Sequence, residues 1–279
     1  MQVVKRIIKF ESREEKTWLL IPIGDIHLGH IGCDKDLLFK TLEFIEETPN
    51  ALWIGMGDYC DAITCKDRRH NLHEIDPDYP TPDVQYRAIE ELFRPIASKC
   101  IGLLDGNHDY AHWLKHNHNY IDALAYNLKV PYLTLDAYVR LVFTRISGKR
   151  PKRNAFNIYT HHGWTNSRTM GYKVNRIQDL AKIFPLCPLY LMGHVHLRGE
   201  APPQVQLFID NRLRVIHHES RFVFTGCYLR SYMPGSQSYA ARLGYPPTTL
   251  GSPVIEITVN DQARPPKSPF TITVKEVPR

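Results

Sequence analysis

Five short motifs rich in Asp, Asn and His follow one another along the chain, and they constrain the fold more than any other feature. They are Gly24-Asp25-Ile26-His27, Gly57-Asp58-Tyr59-Cys60-Asp61, Gly106-Asn107-His108-Asp109, His161-His162-Gly163 and Gly193-His194-Val195-His196. Four of them follow short apolar runs typical of buried strands (residues 18–23, 51–56, 100–104 and 188–192), and the fourth motif follows the less apolar but β-prone run 155–160. The polar side chains therefore fall where strands end, the position that sites favour in open α/β folds.

The order of the motifs resembles the calcineurin-like metallophosphoesterase superfamily. The pattern D-x-H, G-D-x-x-D, G-N-H-D, H and G-H-x-H matches in every block and covers residues 25–196, about two thirds of the chain. The resemblance implies an α/β fold with a two-sheet β-sandwich flanked by helices. It also implies a dinuclear metal-dependent phosphoesterase that hydrolyses phosphate esters with metal-activated hydroxide.

The resemblance further implies two divalent metal ions and their ligands. One metal would be held by Asp25, His27, Asp58 and His196, and the other by Asp58, Asn107, His161 and His194. Asp58 is the expected bridge, because two dications about 3.5–4 Å apart repel each other strongly and need an anion between them. The oxygen and nitrogen donors suit manganese, which we expect, or iron, nickel or zinc.

Two assignments within these motifs rest on local arguments. Side chains alternate along a strand, so only one of His161 and His162 can point at the metals if the strand continues through both. We favour His161, and His162 remains the alternative. His108 is the expected general acid, and Asp109 directly after it is expected to orient the imidazole or raise its pKa.

Composition limits the class of protein further. The chain has 279 residues, a net charge of +6 and no run of apolar residues long enough to cross a membrane. The six cysteines show no C-x-x-C spacing, which favours reduced thiols in a cytoplasmic protein. A site assembled from residues 25–196 predicts a single domain over 1–279, with the β-rich part 200–279 completing the second sheet; the oligomeric state is open.

Periodicity predicts the elements around the motifs. Apolar residues at helical spacing predict helices over residues 34–48, 83–98, 110–127 and 172–184. After residue 200 the pattern predicts strands over residues 205–210, 213–218, 221–225, 254–259 and 270–277.

Several basic segments suggest an anionic partner without deciding which one. They are the irregular segment 59–82, the His-rich start of the helix after the third motif, the cations Arg168, Lys173 and Arg176, and a hairpin with Arg145, Lys149, Arg150, Lys152 and Arg153. Each of them is also consistent with an ordinary solvated surface. With the positive net charge, they favour a nucleic-acid or nucleotide phosphodiester as substrate. The alternatives are a small-molecule or protein phosphomonoesterase, and an inactive binding scaffold on the same fold.

Overall fold

A computed structural model describes residues 1–11, 16–67, 69–147, 151–165, 167–233, 239–260, 262–263 and 268–277. The strands are β1 Gln2–Phe10, β2 Lys16–Ile23, β3 Ala51–Gly55, β4 Cys100–Leu104, β5 Tyr132–Thr134, β6 Asp136–Arg145, β7 Lys152–His161, β8 Leu189–Met192, β9 Arg198–Ile209, β10 Val215–Thr225, β11 Pro253–Val259 and β12 Phe270–Glu276. The helices are α1 Lys35–Glu47, α2 Pro82–Phe93, α3 Asn107–His116, α4 Tyr120–Leu128, α5 Met170–Ile183 and α6 Tyr239–Leu243, with 3₁₀ turns at Leu72–Glu74 and Ala97–Lys99.

The strands form two mixed sheets that pack face to face. One sheet has the order β1-β6-β7-β8-β10-β9, and the other has the order β12-β11-β2-β3-β4-β5. Apolar side chains from both sheets fill the space between them, among them Leu20, Ile54, Leu141, Phe156 and Val223. This layer is a continuous part of the core, because alternate residues of every central strand point into it.

Helices cover the outer faces of both sheets. Leu38, Leu42 and Ile45 form the buried face of α1. Together with the buried faces of α2 and α4, this face packs on the sheet that contains β2 and β3. Ile177 and Leu180 of α5 pack over the other sheet. The α/β sandwich flanked by helices that the motifs imply is therefore confirmed. The described part of the chain contains no helix long and apolar enough to span a membrane.

Parallel pairing brings the ends of the motif-bearing strands together. β2, β3 and β4 run parallel to one another in one sheet, and β7, β8 and β10 run parallel in the other. The residues that follow β2, β3, β4, β7 and β8 therefore gather at one edge of the sandwich.

Three expectations differ from the structure. The predicted helix over residues 110–127 is two helices, because Asn117 adopts a left-handed conformation (φ 54°) that ends α3. The predicted strands 213–218 and 221–225 are one strand, β10, with an irregularity between Ser220 and Phe222. Residues after 200 complete both sheets and not only the second, because β9 and β10 join β8 while β11 and β12 join β2.

Candidate metal centre

Backbone hydrogen bonds fix the loops after β2 and β3 against each other. The amide of Asp25 donates to Gly57 O at 2.9 Å, and the amide of His27 donates to Asp58 O at 3.1 Å. The bonds continue the strand pairing past the strand ends, so the first two motifs form one rigid unit.

Five predicted ligands adopt a backbone conformation that L-residues rarely adopt. Their φ angles lie between 49° and 64° in Asp25, His27, Asp58, His194 and His196. Each such residue costs roughly 1–3 kcal/mol, and such residues cluster at functional sites. All five belong to the groups of donor atoms described below, so the unusual backbone conformation is concentrated at the candidate ligands.

Glycine allows the second and third motifs to touch. A Cβ on Gly106 would lie 2.0 Å from Asp58 Oδ1 and 2.2 Å from Asp58 N. The same close approach involves Gly57, where φ is 88° and an added Cβ would meet Gly106 N at 2.4 Å. The absence of both side chains lets the Asp58 carboxylate lie against the start of α3.

The first group of donor atoms comes from Asp25, His27 and His196, whose ligand atoms all lie within 4.8 Å of one another. The Nε2 atoms of His27 and His196 are 3.3 Å apart, and His196 Nε2 is 3.3 Å from Asp25 Oδ1. The amide of His194 donates to Asp25 Oδ2 at 2.9 Å, so this oxygen is occupied. Asp25 Oδ1 is buried and has no hydrogen-bond partner among the described residues, as expected of an oxygen reserved for a cation.

The second group comes from Asp58, His162 and His194, with Asn107 beside them. Asn107 Oδ1 lies 2.6 Å from His194 Nδ1 and 3.1 Å from His162 Nε2. His162 Nδ1 donates to Met56 O at 2.7 Å, which leaves Nε2 as the nitrogen with a free lone pair. A backbone carbonyl that fixes the tautomer of an imidazole in this way is typical of histidines that bind metals.

Asp58 lies between the two groups. Its Oδ1 accepts from the amide of His108 at 2.8 Å, while its Oδ2 lies 3.5 Å from His162 Nε2 and 4.0 Å from His27 Nε2. Burial alone would raise the pKa of the Asp58 carboxyl, but the histidines around it, His162 first among them, hold this pKa well below its usual value. The geometry fits a carboxylate that one cation on each side would share.

His161, the histidine that the sequence favours, lies outside both groups. Its Nδ1 accepts from the amide of Gly163 at 2.8 Å, and its ring packs on Trp164 with centroids 4.8 Å apart. The structure instead brings His162 to the donor atoms. β7 ends at His161, so the buried Thr160 and the buried His162 lie on the inner side and His161 lies on the outer side.

His108 lies beside the first group, and its ring is fixed by two contacts. Nδ1 donates to Asp61 O at 2.7 Å, and Arg69 Nη1 donates to Nε2 at 2.8 Å. The Asp61 carboxylate lies between two rings, with Oδ1 3.5 Å from His27 Nδ1 and 3.7 Å from His108 Nδ1. Sequence reasoning assigns Asp61 no role, although the D-x-x-D spacing of the second motif is a signal for one.

Asp109 does not contact the His108 ring through any hydrogen bond that the structure describes. Its Oδ2 accepts from the amides of Asp58 at 2.8 Å and Gly106 at 2.9 Å, and its Oδ1 accepts from Tyr86 Oη at 2.6 Å. Burial, and then the Asp58 carboxylate, raise the pKa of Asp109 to about 7. Asp109 therefore ties the third motif to the second, and the expectation that it orients the imidazole is wrong, because Asp61 and Arg69 make those contacts.

The donor atoms open into a cleft of about 330 Å³. Arg69, Lys173, Arg230 and Arg242 line it together with Tyr245. Arg69 is held by Asp67, with Nε–Oδ1 and Nη2–Oδ2 both at 3.1 Å, and Arg230 is held by Asp34 at 2.6 Å. The segment after the second motif therefore does face the site, whereas its residue Arg68 lies outside the described residues.

A family match identifies the class of this protein. The chain matches the calcineurin-like phosphoesterase family over residues 21–198, which is more than half of its length. It therefore belongs to that family and is a metal-dependent phosphoesterase, a hydrolase of phosphate esters. A conserved uncharacterised protein from Streptococcus pneumoniae TIGR4, described as a predicted phosphoesterase, is similar at 12% identity, with a TM-score of 0.35 over 94% of this chain and 93% of that chain. No curated protein matches the sequence.

Proposed function

We propose that this protein uses two divalent metal ions to hydrolyse phosphodiesters of nucleotides or nucleic acids. The observation that carries the proposal is the cleft itself, since the donor groups described above, Asp25/His27/His196 and Asp58/His162/His194 among them, lie beside arginine and lysine side chains and the ring of Tyr245. Cations suit phosphate oxygens, and aromatic faces suit nucleobases. A volume near 330 Å³ is at the lower end for pockets that hold small ligands.

Two metal positions follow from the donor groups. Asp25, His27, Asp58 and His196 would hold one ion, and Asp58, Asn107, His162 and His194 would hold the other. The two ions would supply Lewis-acid stabilisation of the phosphoryl oxygens and activation of water. The nitrogen and oxygen donors fit manganese, iron, nickel or zinc, and manganese is the ion we propose.

His108 supplies the proton to the leaving group. Since Nδ1 donates to Asp61 O, Nε2 is the ring nitrogen available to a substrate. Arg69 donates to Nε2 in this structure, so it must move away when Nε2 carries a proton, because two donors cannot share a hydrogen bond. A phosphate oxygen gives the guanidinium a new acceptor, which couples substrate binding to protonation of His108.

The basic hairpin contributes only with a long substrate. Lys152 and Arg153 lie at the opposite end of β7 from His161, and ten residues of strand span about 30 Å. The hairpin residues Lys149 and Arg150 lie outside the described residues. A mononucleotide in the cleft would not reach these cations, whereas a polymer would.

A substrate panel tests the proposal. The protein reconstituted with Mn²⁺ would be given p-nitrophenyl phosphate, bis(p-nitrophenyl) phosphate, p-nitrophenyl thymidine 5′-phosphate, cyclic nucleotides, and single- and double-stranded DNA and RNA. Hydrolysis of the nucleotide diesters with kcat/KM well above that of the monoester is expected. A preference for the monoester would favour the phosphomonoesterase alternative, and no turnover of any ester would favour an inactive scaffold. The His108→Ala variant, purified in parallel, controls for contaminating phosphatases.

A further inference from the structure

Lys173 is a buried cation without an anionic partner. It lies in the first turn of α5, and its side chain is only 6% exposed. Its Nζ donates to Val195 O at 3.3 Å, and no carboxylate among the described residues lies within 4.0 Å of it. Burial lowers the pKa of Lys173, as expected where an ammonium group lacks a counter-charge.

Two other cations of the cleft, Arg69 and Arg230, differ from Lys173 in having a carboxylate partner. Arg69 is paired with Asp67 and Arg230 with Asp34, so each of these two arginines has a carboxylate partner that Lys173 lacks. A buried charge without a partner costs free energy, so a protein that retains one is expected to use it. Lys173 lines the cleft. Val195, whose carbonyl oxygen accepts the hydrogen bond from Lys173, lies in the sequence between the metal-donor residues His194 and His196.

A second cation and two hydroxyl groups line the same cleft. Arg242 lines the cleft, is exposed, and has no carboxylate partner in the part of the chain that the structure describes. Thr165 and Ser167 line it as well, and both carry hydroxyl groups that can donate to phosphate oxygens. Among the described residues that line the cleft, Lys173 and Arg242 are thus the lysine and arginine side chains without a carboxylate partner.

We propose that Lys173 and Arg242 form a second anion subsite beside the metal centre, which binds the phosphate group next to the scissile one along a nucleotide chain. This rests on the proposed function, and it narrows the substrate to nucleotide diesters that carry at least one further phosphate. An ammonium group serves as a point charge for phosphate and needs no fixed plane of approach, so Lys173 suits a group whose orientation changes between substrates.

Two chromogenic esters with the same leaving group test the subsite. One is p-nitrophenyl thymidine 5′-phosphate, and the other is the same ester with an additional 3′-phosphate. The wild-type enzyme is expected to prefer the second ester by roughly 10- to 100-fold in kcat/KM, the factor typical of one hydrogen bond between charged groups. Lys173→Met should bring this ratio close to one, mainly through KM, and Lys173→Arg should keep most of it.

Lys182 provides the matched control. It lies on the same helix, it is exposed, and its Nζ donates to Asp179 at 2.7 Å. Lys182→Met should leave the ratio and the metal content at wild-type values. The metal content of every variant should be measured, because Lys173 also contacts the carbonyl between His194 and His196.

Three results would overturn the inference. They are a wild-type enzyme without preference for the additional phosphate, an unchanged preference in Lys173→Met, and an equal loss on both esters that accompanies a loss of metal. If neither nucleotide ester is hydrolysed, the proposed function fails by itself. The subsite is then tested by inhibition of aryl-ester hydrolysis. In the wild type, thymidine 3′,5′-bisphosphate should inhibit more strongly than thymidine 5′-phosphate. In Lys173→Met, the two nucleotides should inhibit equally.

Discussion

Replacing His161 and His162 separately by alanine tests the metal centre most directly, because the two neighbours have opposite surroundings. His162 is buried, and its Nε2 lies 3.5 Å from Asp58 Oδ2 and 3.1 Å from Asn107 Oδ1. His161 makes one hydrogen bond with the amide of Gly163 and packs on Trp164. We expect His162→Ala to lose the metal at one position and His161→Ala to keep both.

The magnitudes follow from what each ring contacts. Mutations of groups that only support a metal ligand weaken metal binding 10- to 100-fold, so removal of the His162 donor should exceed 100-fold, or about 2.8 kcal/mol. The His161 variant loses one hydrogen bond outside the donor groups, which lowers the free energy of unfolding by about 1 kcal/mol and leaves metal affinity nearly unchanged.

Equilibrium dialysis against a series of free Mn²⁺ concentrations, followed by elemental analysis, measures both affinities. The wild type should bind two ions per chain, and His162→Ala should bind close to one where the wild type is saturated. Near-ultraviolet circular dichroism of both variants verifies that the core is intact. If His161→Ala loses an ion while His162→Ala binds two with wild-type affinity, the assignment of His162 is refuted.

Four further changes have expected outcomes. Asp58→Asn should weaken both metal positions, seen as fewer than one ion per chain by elemental analysis; retention of two ions at wild-type affinity would exclude a bridging role. His108→Ala should lower turnover by roughly 10²–10⁴-fold at unchanged metal content, with a smaller loss for a p-nitrophenol leaving group; a parallel loss of metal would make it a ligand. Gly106→Ala should displace the Asp58 carboxylate, because its Cβ would lie 2.0 Å from Oδ1, and wild-type metal affinity in this variant would contradict that contact. Removal of metal with a chelator should lower Tm, since a ligand that binds only the folded state stabilises it; an unchanged Tm would mean that the ions bind too weakly to matter.

The sequence predicts the strands and helices around the site well, because their ends depend on residues that are close together in the chain. Apolar runs fixed the ends of the central strands to within two residues, and β4 at Cys100–Leu104 agrees at both ends. The helix predicted over residues 34–48 is α1, and the side chain of Asp34 caps it by accepting from Leu37 N. The sequence does not predict that the helix ends at Asn117, since periodicity alone does not detect a single left-handed residue between two short helices.

Contacts between distant motifs are not available from the sequence. Asp109 lies next to His108 in the chain, yet it binds the amide of Asp58, 51 residues away. Alternation along β7 shows that only one of two adjacent histidines points inward, but the choice depends on where the strand ends relative to the opposite sheet. The contact of Arg69 with His108 likewise depends on how an irregular segment folds back over the cleft.

The carboxylates of Asp25 and Asp58 are held in the same way, and this explains the strained backbone around them. In Asp25 and in Asp58, one oxygen accepts a backbone amide of another motif, at 2.9 Å and 2.8 Å, and the other oxygen faces the donor nitrogens of histidines. The amides fix the direction of the free oxygens, so the centre is arranged before any cation arrives, and little ordering remains when one binds. Such an arrangement requires the loops to turn within two to four residues of the strand ends, and the left-handed Asp25, His27 and Asp58 provide these turns. The backbone hydrogen bonds that join the motifs therefore offset the strain at these residues.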